Sequence, residues 1–402
     1  MMCRVLWTLL GIARATSGLV TLHQRAALER VAAVDAWFAG VVNGSAPPAP
    51  YHWRVRSPRD LLGGATPLST AEADAVQWRK PGGAEKEVNA SRVDVDGTPT
   101  AVVVKAQRYV FRLSQGGESA GRRGRRLPLS GPAHQELLFL EYLRGSAGIP
   151  ALYGGWATAD GPAWVVEDAG FPIGRGKGGG DSPTITSAAY DALATNRPLA
   201  LARALLACFQ SFAGGGFVLS DFHPSQFALR DDGGVVVVSL VDGPAANGGP
   251  LAAYVRSAYP TLTRRHRSVP MDARWVLPPP GPCAEDRDCA RTKHFHSCSP
   301  ETMEDGVASC ERGTAGPPEC AGTCGGGRHR RCGAITAAAH AFDLGGKRWL
   351  LPRLAELADD AATGAFLRAL ASDLRAPEPG DRPTFAAARA RVDAFERGNL
   401  TS

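Results

Sequence analysis

No stretch of eighteen or more apolar residues occurs in this chain of 402 residues, which excludes an ordinary transmembrane helix. Strong charge of one sign is missing too. The net charge of +6 is too small over this length to point to nucleic acid or another polyanion. One dense basic run, Gly121–Arg126 (GRRGRR), reads as a solvated loop tip, with a cleavage or acidic-partner site as the alternative. No internal repeat is present, so repeat architectures drop out. What remains is the composition of a soluble globular chain, 44% hydrophobic and 21% charged, with a core large enough to need no staple. Its 47 glycines and 30 prolines call for long loops between the regular elements.

Asparagine is scarce, at five residues, yet three of them open glycosylation sequons: Asn43-Gly44-Ser45, Asn89-Ala90-Ser91 and Asn399-Leu400-Thr401. Cysteine is nearly absent from most of the chain, but seven of the nine fall between Cys283 and Cys332. That density in a loop-rich segment predicts a disulfide framework in an oxidising compartment. A zinc site is the alternative, through Cys320, Cys324, His329 and Cys332 with His294 and His296 nearby. Arg4, the apolar run Val5–Ala13 and the small-x-small Ala13-Arg14-Ala15 resemble a signal peptide over residues 1–15, whose removal would take Cys3 away, with an ordinary buried helix start as the alternative. All three features point to the lumen of the secretory pathway (endoplasmic reticulum or Golgi) or to secretion.

Hydrophobic periodicity gives the order of elements. Residues 16–70 read as a helix, roughly Leu22–Val41, and a Pro-rich linker. A hairpin follows, Val93–Val95 and Thr100–Lys105, turning at Asp96-Gly97. Pro132–Arg144 carries Leu137, Leu140 and Leu143 at helical spacing and stops at Gly145. Trp164–Glu167 is a short strand and Leu199–Phe212 a second apolar helix, on which Cys208 shares a face with Leu205 and Phe212 as an inert thiol or a partner for the odd seventh cysteine. Val235–Val241 reads as a continuous apolar strand, central and buried. Helices close the chain at Leu351–Leu357, Thr363–Leu374 and Phe385–Arg397. The class is α+β.

The chemistry concentrates in Leu219-Ser220-Asp221-Phe222-His223-Pro224-Ser225-Gln226-Phe227, between a helix and a strand that ends in Val241-Asp242-Gly243. Phosphoryl transfer needs one carboxylate to take the proton of the attacking hydroxyl and another to hold Mg²⁺ on the nucleotide phosphates. Asp221, Gln226 five residues on, and Asp242 have the spacing of that pair with its amide ligand.

This stretch resembles the divergent protein kinase domain family of the endoplasmic reticulum and Golgi, over roughly residues 78–397. That family has a similar D-x-x-P-x-N-F-A loop and a cysteine-rich insertion that opens like Cys283-Ala284-Glu285-Asp286-Arg287-Asp288-Cys289. Gly82-Gly83-Ala84-Glu85-Lys86 has a weaker likeness to the nucleotide loop of protein-O-mannose kinase, and Asp381-Arg382-Pro383-Thr384 to a segment near the end of many kinase domains.

The resemblance implies a two-lobed kinase-like fold: a small β-rich lobe and hinge over 71–170, and a helical lobe over 171–402 with the cysteine-rich insertion at 283–332. It implies ATP with Mg²⁺ or Mn²⁺. Lys105 would grip the α- and β-phosphates, steered by a helix glutamate, Glu136 in preference to Glu141. Gly82 and Gly83 would lie over the nucleotide, and Val166–Gly170 would be the hinge reached by adenine. Asp221 would be the catalytic base, with Asp242 and Gln226 as metal ligands.

Departures stand beside these matches. Leu219-Ser220 replaces the His-Arg before the catalytic Asp, and His223 stands where many kinases have a lysine. Gln226 replaces Asn, Asp242-Gly243-Pro244 lacks the usual Phe, and the nucleotide loop lacks a full G-x-G-x-x-G. The leading expectation is a kinase acting on a hydroxyl of a secretory protein or its glycan. A catalytically inactive luminal scaffold is the alternative. A small-molecule phosphotransferase is a third class, against which the cysteines and sequons argue.

Overall fold

The computed structural model of the protein describes residues 22–42, 66–67, 86–95, 98–107, 132–158, 161–175, 185–219, 224–241, 245–246, 249–259, 337–376 and 378–400. In chain order the elements are α1 (Leu22–Val42), β1 (Thr66–Pro67), β2 (Lys86–Val95), β3 (Thr98–Gln107), α2 (Pro132–Tyr142), β4 (Leu152–Thr158), β5 (Gly161–Glu167), β6 (Phe171–Pro172), β7 (Gly174–Arg175) and β8 (Ile185–Thr186). They continue with α3 (Ala188–Asn196), α4 (Pro198–Gly214), β9 (Phe217–Val218), β10 (Phe227–Asp232), β11 (Val235–Leu240), β12 (Ala245–Ala246), α5 (Gly249–Ala258), α6 (Ala337–Gly346), α7 (Leu351–Leu357), α8 (Ala361–Leu374) and α9 (Phe385–Leu400). Helices with small antiparallel sheets make this an α+β chain. Among the described residues no helix is long and apolar enough to cross a membrane.

Two compact units divide the chain: residues 1–145, 150–169 and 253–275 form one, and 146–149, 170–252 and 276–402 the other. One of the several passages of the chain between the units falls at Ala169–Gly170.

The first unit is built on a five-stranded antiparallel sheet in the order β1-β2-β3-β5-β4. The β2–β3 hairpin pairs Val95 with Thr98, which leaves a two-residue connection occupied in the sequence by Asp96-Gly97. Alternation then sorts the side chains. Val102, Ala163 and Val165 join Val95, Tyr153 and Trp156 in a buried apolar cluster. Val103, Lys105, Trp164 and Val166 occupy the intervening positions and are also buried. Helix α2 starts on Pro132, where the missing N–H costs nothing, and gives way to Gly145 at φ +78°. Helix α1 buries Leu28, Val31, Val34, Trp37 and Phe38, an apolar stripe at the helical period. It lies against β4, where a Cβ on Gly155 would come within 2.8 Å of the Trp37 ring.

The core of the second unit is α4, which buries Leu201, Leu205, Cys208, Phe209 and Phe212. Phe209 stacks on Phe227 with centroids 5.5 Å apart and tilts against Phe385 at 5.8 Å. Burying each such aromatic contributes roughly 1.5–3 kcal/mol. The strand expected as central and buried, Val235–Val241, is instead the edge of a three-stranded sheet ordered β11-β10-β6. Only its second half is covered, and Val235 is 63% exposed. A run of valines reads alike at an edge and at a centre, because it is the neighbouring strands that decide. Cys208 carries a free, buried thiol, which removes it as a partner for the cysteine-rich segment.

Candidate functional site

Lys105 is the eighth residue of β3 and stands directly across the ladder from Trp164 of β5, so both side chains leave the same face of the sheet. Glu136 of α2 meets them there. Lys105 Nζ donates to Glu136 Oε1 at 2.6 Å, and Trp164 Nε1 donates to the same oxygen at 3.4 Å. Lys105 is 6% exposed and Glu136 1%. A buried ion pair survives only with close geometry and further hydrogen bonds, and Trp164 supplies one. Glu141, the rival glutamate, turns away from this centre. Its carboxylate is held by Arg144, two residues past the end of α2, and by Arg30 of α1 at 3.6 Å.

In the second unit the Pro224–Gln226 segment forms one 3₁₀ turn that feeds β10. Gln226 is buried, and its carbonyl accepts from the Val241 N–H at 2.9 Å, one step beyond the Phe227–Leu240 pair of the β10–β11 hairpin. The hairpin register therefore ties Gln226 to the residue that precedes Asp242 in the sequence. Leu240 N–H in turn donates to Gly148 O at 2.9 Å. Gly148 has φ +72°, and a Cβ there would lie 2.5 Å from Val238 O, so only glycine fits.

A contact that sequence reasoning missed holds the start of the same segment. The buried His340 of α6 accepts the Leu219 N–H on Nε2 at 3.3 Å. An accepting Nε2 places the ring proton on Nδ1, which lies 3.6 Å from Asp343 Oδ2. Phe209 and Phe212 of α4 face the ring edge-on at 6.4 and 5.2 Å. The spacing of His340 and Asp343, one turn apart on an apolar helix, was the available signal.

Asp221, Asp242, Gly82 and Gly83 lie outside the described residues, as do the cysteines from Cys283 to Cys332 and the residue 1–15 segment. The structure thus joins Lys105 to Glu136, and Gln226 to the strand before Asp242. Lys105 Nζ and Trp164 Nε1 thus share Glu136 Oε1, which holds the lysine head against the carboxylate on this face of the sheet. No family model matches the chain, and no curated protein matches it either.

Proposed function

We propose that the chain is a divergent protein-kinase-like phosphotransferase of the secretory pathway, two-lobed, moving the γ-phosphate of ATP to a hydroxyl of a secretory protein or its glycan. One observation carries this reading: the buried Lys105–Glu136 pair joins a strand lysine to a helix glutamate across 31 residues, as the motif order requires. Lys105 would hold α- and β-phosphate oxygens, with Glu136 fixing its direction. Asp221 would take the proton as the acceptor oxygen bonds to the γ-phosphorus and the bond to the ADP oxygen breaks. The chemistry of the donor set, a carboxylate and an amide oxygen at Asp242 and Gln226, fits a hard divalent cation. Bound there, Mg²⁺ or Mn²⁺ would neutralise phosphate charge. The sequons and the cysteine-rich segment support the luminal assignment.

A second reading, an inactive luminal scaffold, draws on Gln226, which is 6% exposed and longer by one methylene than the asparagine expected of a metal ligand. Nucleotide binding with and without Mg²⁺ or Mn²⁺, followed by γ-phosphate transfer or hydrolysis, separates the two. Binding without turnover selects the scaffold, and no binding under any metal ends the phosphotransferase reading.

A further inference from the structure

Helix α1 contributes nothing to the site as described, yet it holds the helix that carries Glu136. Asp35 of α1 is buried and receives three donors. Its Oδ1 accepts from His134 Nε2 at 2.7 Å and from the Tyr259 hydroxyl, and its Oδ2 accepts from the Tyr254 hydroxyl at 2.6 Å. An ionised carboxylate only accepts, so Nε2 of His134 carries a proton. The same imidazole stacks on Phe38, three residues after Asp35, with centroids 4.4 Å apart and planes 5° from parallel. Tyr259 closes the ring edge at 5.8 Å. At the far end of α2, Arg30 Nε donates to Glu141 O at 3.3 Å.

Helix α2 is therefore gripped by α1 in its first turn and in its last, with Glu136 two residues beyond His134. A buried carboxylate with three donors is an all-or-none joint: losing the acceptor leaves an imidazole N–H and two phenols without it in a dry site. Segments of the first unit meet through this joint and the ion pair, because α1, α2 and the stretch Tyr254–Tyr259 converge on Asp35 while α2 also reaches β3.

We propose that Asp35 is a positioning residue for the Lys105–Glu136 pair: by fixing His134 it sets the placement of α2, so that residues 22–42 are an obligatory part of the site rather than a cover over it. The catalytic consequence rests on the function proposed above, but the mechanical coupling does not.

The test uses the full chain and an amine-acylating reagent, reading each lysine by mass spectrometry. Wild-type Lys105, buried and paired, should label slowly. Glu136→Gln sets the fast limit. In Asp35→Ala, Lys105 should label about tenfold to a hundredfold faster, the factor that follows from losing one buried charge-assisted hydrogen bond. Asp35→Asn should fall between. Lys347, equally buried at 6% in the second unit, should keep its wild-type rate and so reports against global unfolding. Should Asp35→Ala expose Lys347 as well, His134→Phe decides, since it keeps the stack on Phe38 and removes only the N–H. Wild-type labelling of Lys105 in folded Asp35→Ala or His134→Phe, with fast amide exchange across residues 22–42, overturns the proposal. The readout needs no nucleotide. A protein that binds none would sink the phosphotransferase reading and leave this coupling to be decided by the labelling.

Discussion

Trp164 and Lys105 sit opposite each other on adjacent antiparallel strands, and both donate to one oxygen of Glu136. The indole thus satisfies part of a carboxylate that would otherwise depend on the lysine alone. It also fills the sheet face beside the lysine stem, which leaves the ammonium little freedom to swing.

Removing parts of this trio should have graded effects. Lys105→Ala strands a buried carboxylate and should cost about 3–5 kcal/mol, whereas Trp164→Phe removes a single hydrogen bond and should cost about 1 kcal/mol. Denaturant melts give both numbers. Nucleotide affinity should follow the same order, and a Trp164→Phe protein as damaged as Lys105→Ala would show that packing, not the N–H, is what Trp164 contributes.

The acidic residues should part by role. Asp221→Asn should leave nucleotide affinity nearly intact while turnover falls by roughly 10²–10⁴. Asp242→Asn should abolish the metal dependence of nucleotide binding, because it would remove the carboxylate proposed to hold Mg²⁺. Gln226→Asn should keep or raise activity. Loss of activity in that variant would mean the longer amide is needed where it lies, buried under the β10–β11 hairpin.

Cys208 should be inert. Burial pushes its thiol up to about 12, the carbonyl of Gly148 lies 3.7 Å from its sulfur, and the Leu240 backbone offsets only part of that rise. At pH 8 only about one molecule in 10⁴ would carry the anion. Alkylation should proceed at the global unfolding rate and accelerate with denaturant. Rapid native labelling would contradict the packing of α4.

Acid should undo the Asp35 joint. Burial alone would raise its pKa, but the hydrogen bonds and charge of His134, with the hydroxyls of Tyr254 and Tyr259, hold it below the ordinary value. A depressed carboxylate contributes stability that is complete above the unfolded value near about 4 and is lost as pH falls through the lower folded value. The melting-temperature gap between wild type and Asp35→Asn should be constant from about pH 5 to 7 and shrink below about 4. A gap that widens in acid would reverse the sign and refute the assignment.

Much of this was legible in the sequence where the signal is local. Pro132, the leucine spacing and Gly145 mark α2, and the apolar run from Leu199 marks α4 within two residues at either end. Strand β4 was not legible. Its Gly154-Gly155 argues against a strand, and the reason for one of those glycines is a tryptophan more than a hundred residues earlier, at Trp37. Strand β10 ends in Arg230-Asp231-Asp232 and reads as a loop until its pairing with β11 is known. Lys105 and Glu136 were readable as a motif, but Trp164 was readable only as a strand residue, because cross-strand register is not written in either strand alone. The same holds for Asp35 and His134, which are 99 residues apart.

That separation has a consequence in time. During synthesis α1 is made before its partners, and the donors at Tyr254 and Tyr259 lie 219 and 224 residues farther along. At 5–20 residues per second the carboxylate of Asp35 waits roughly ten to forty seconds for them. Until then α1 is an amphipathic helix whose acidic centre has at most the imidazole of His134 to meet. Glu136 and Lys105 already exist in the nascent chain, without the clasp that completes their support. Helix α1 is thus fully fastened only after more than two hundred further residues are made, and a chain interrupted before Tyr254 would carry the ion pair's residues with the joint incomplete.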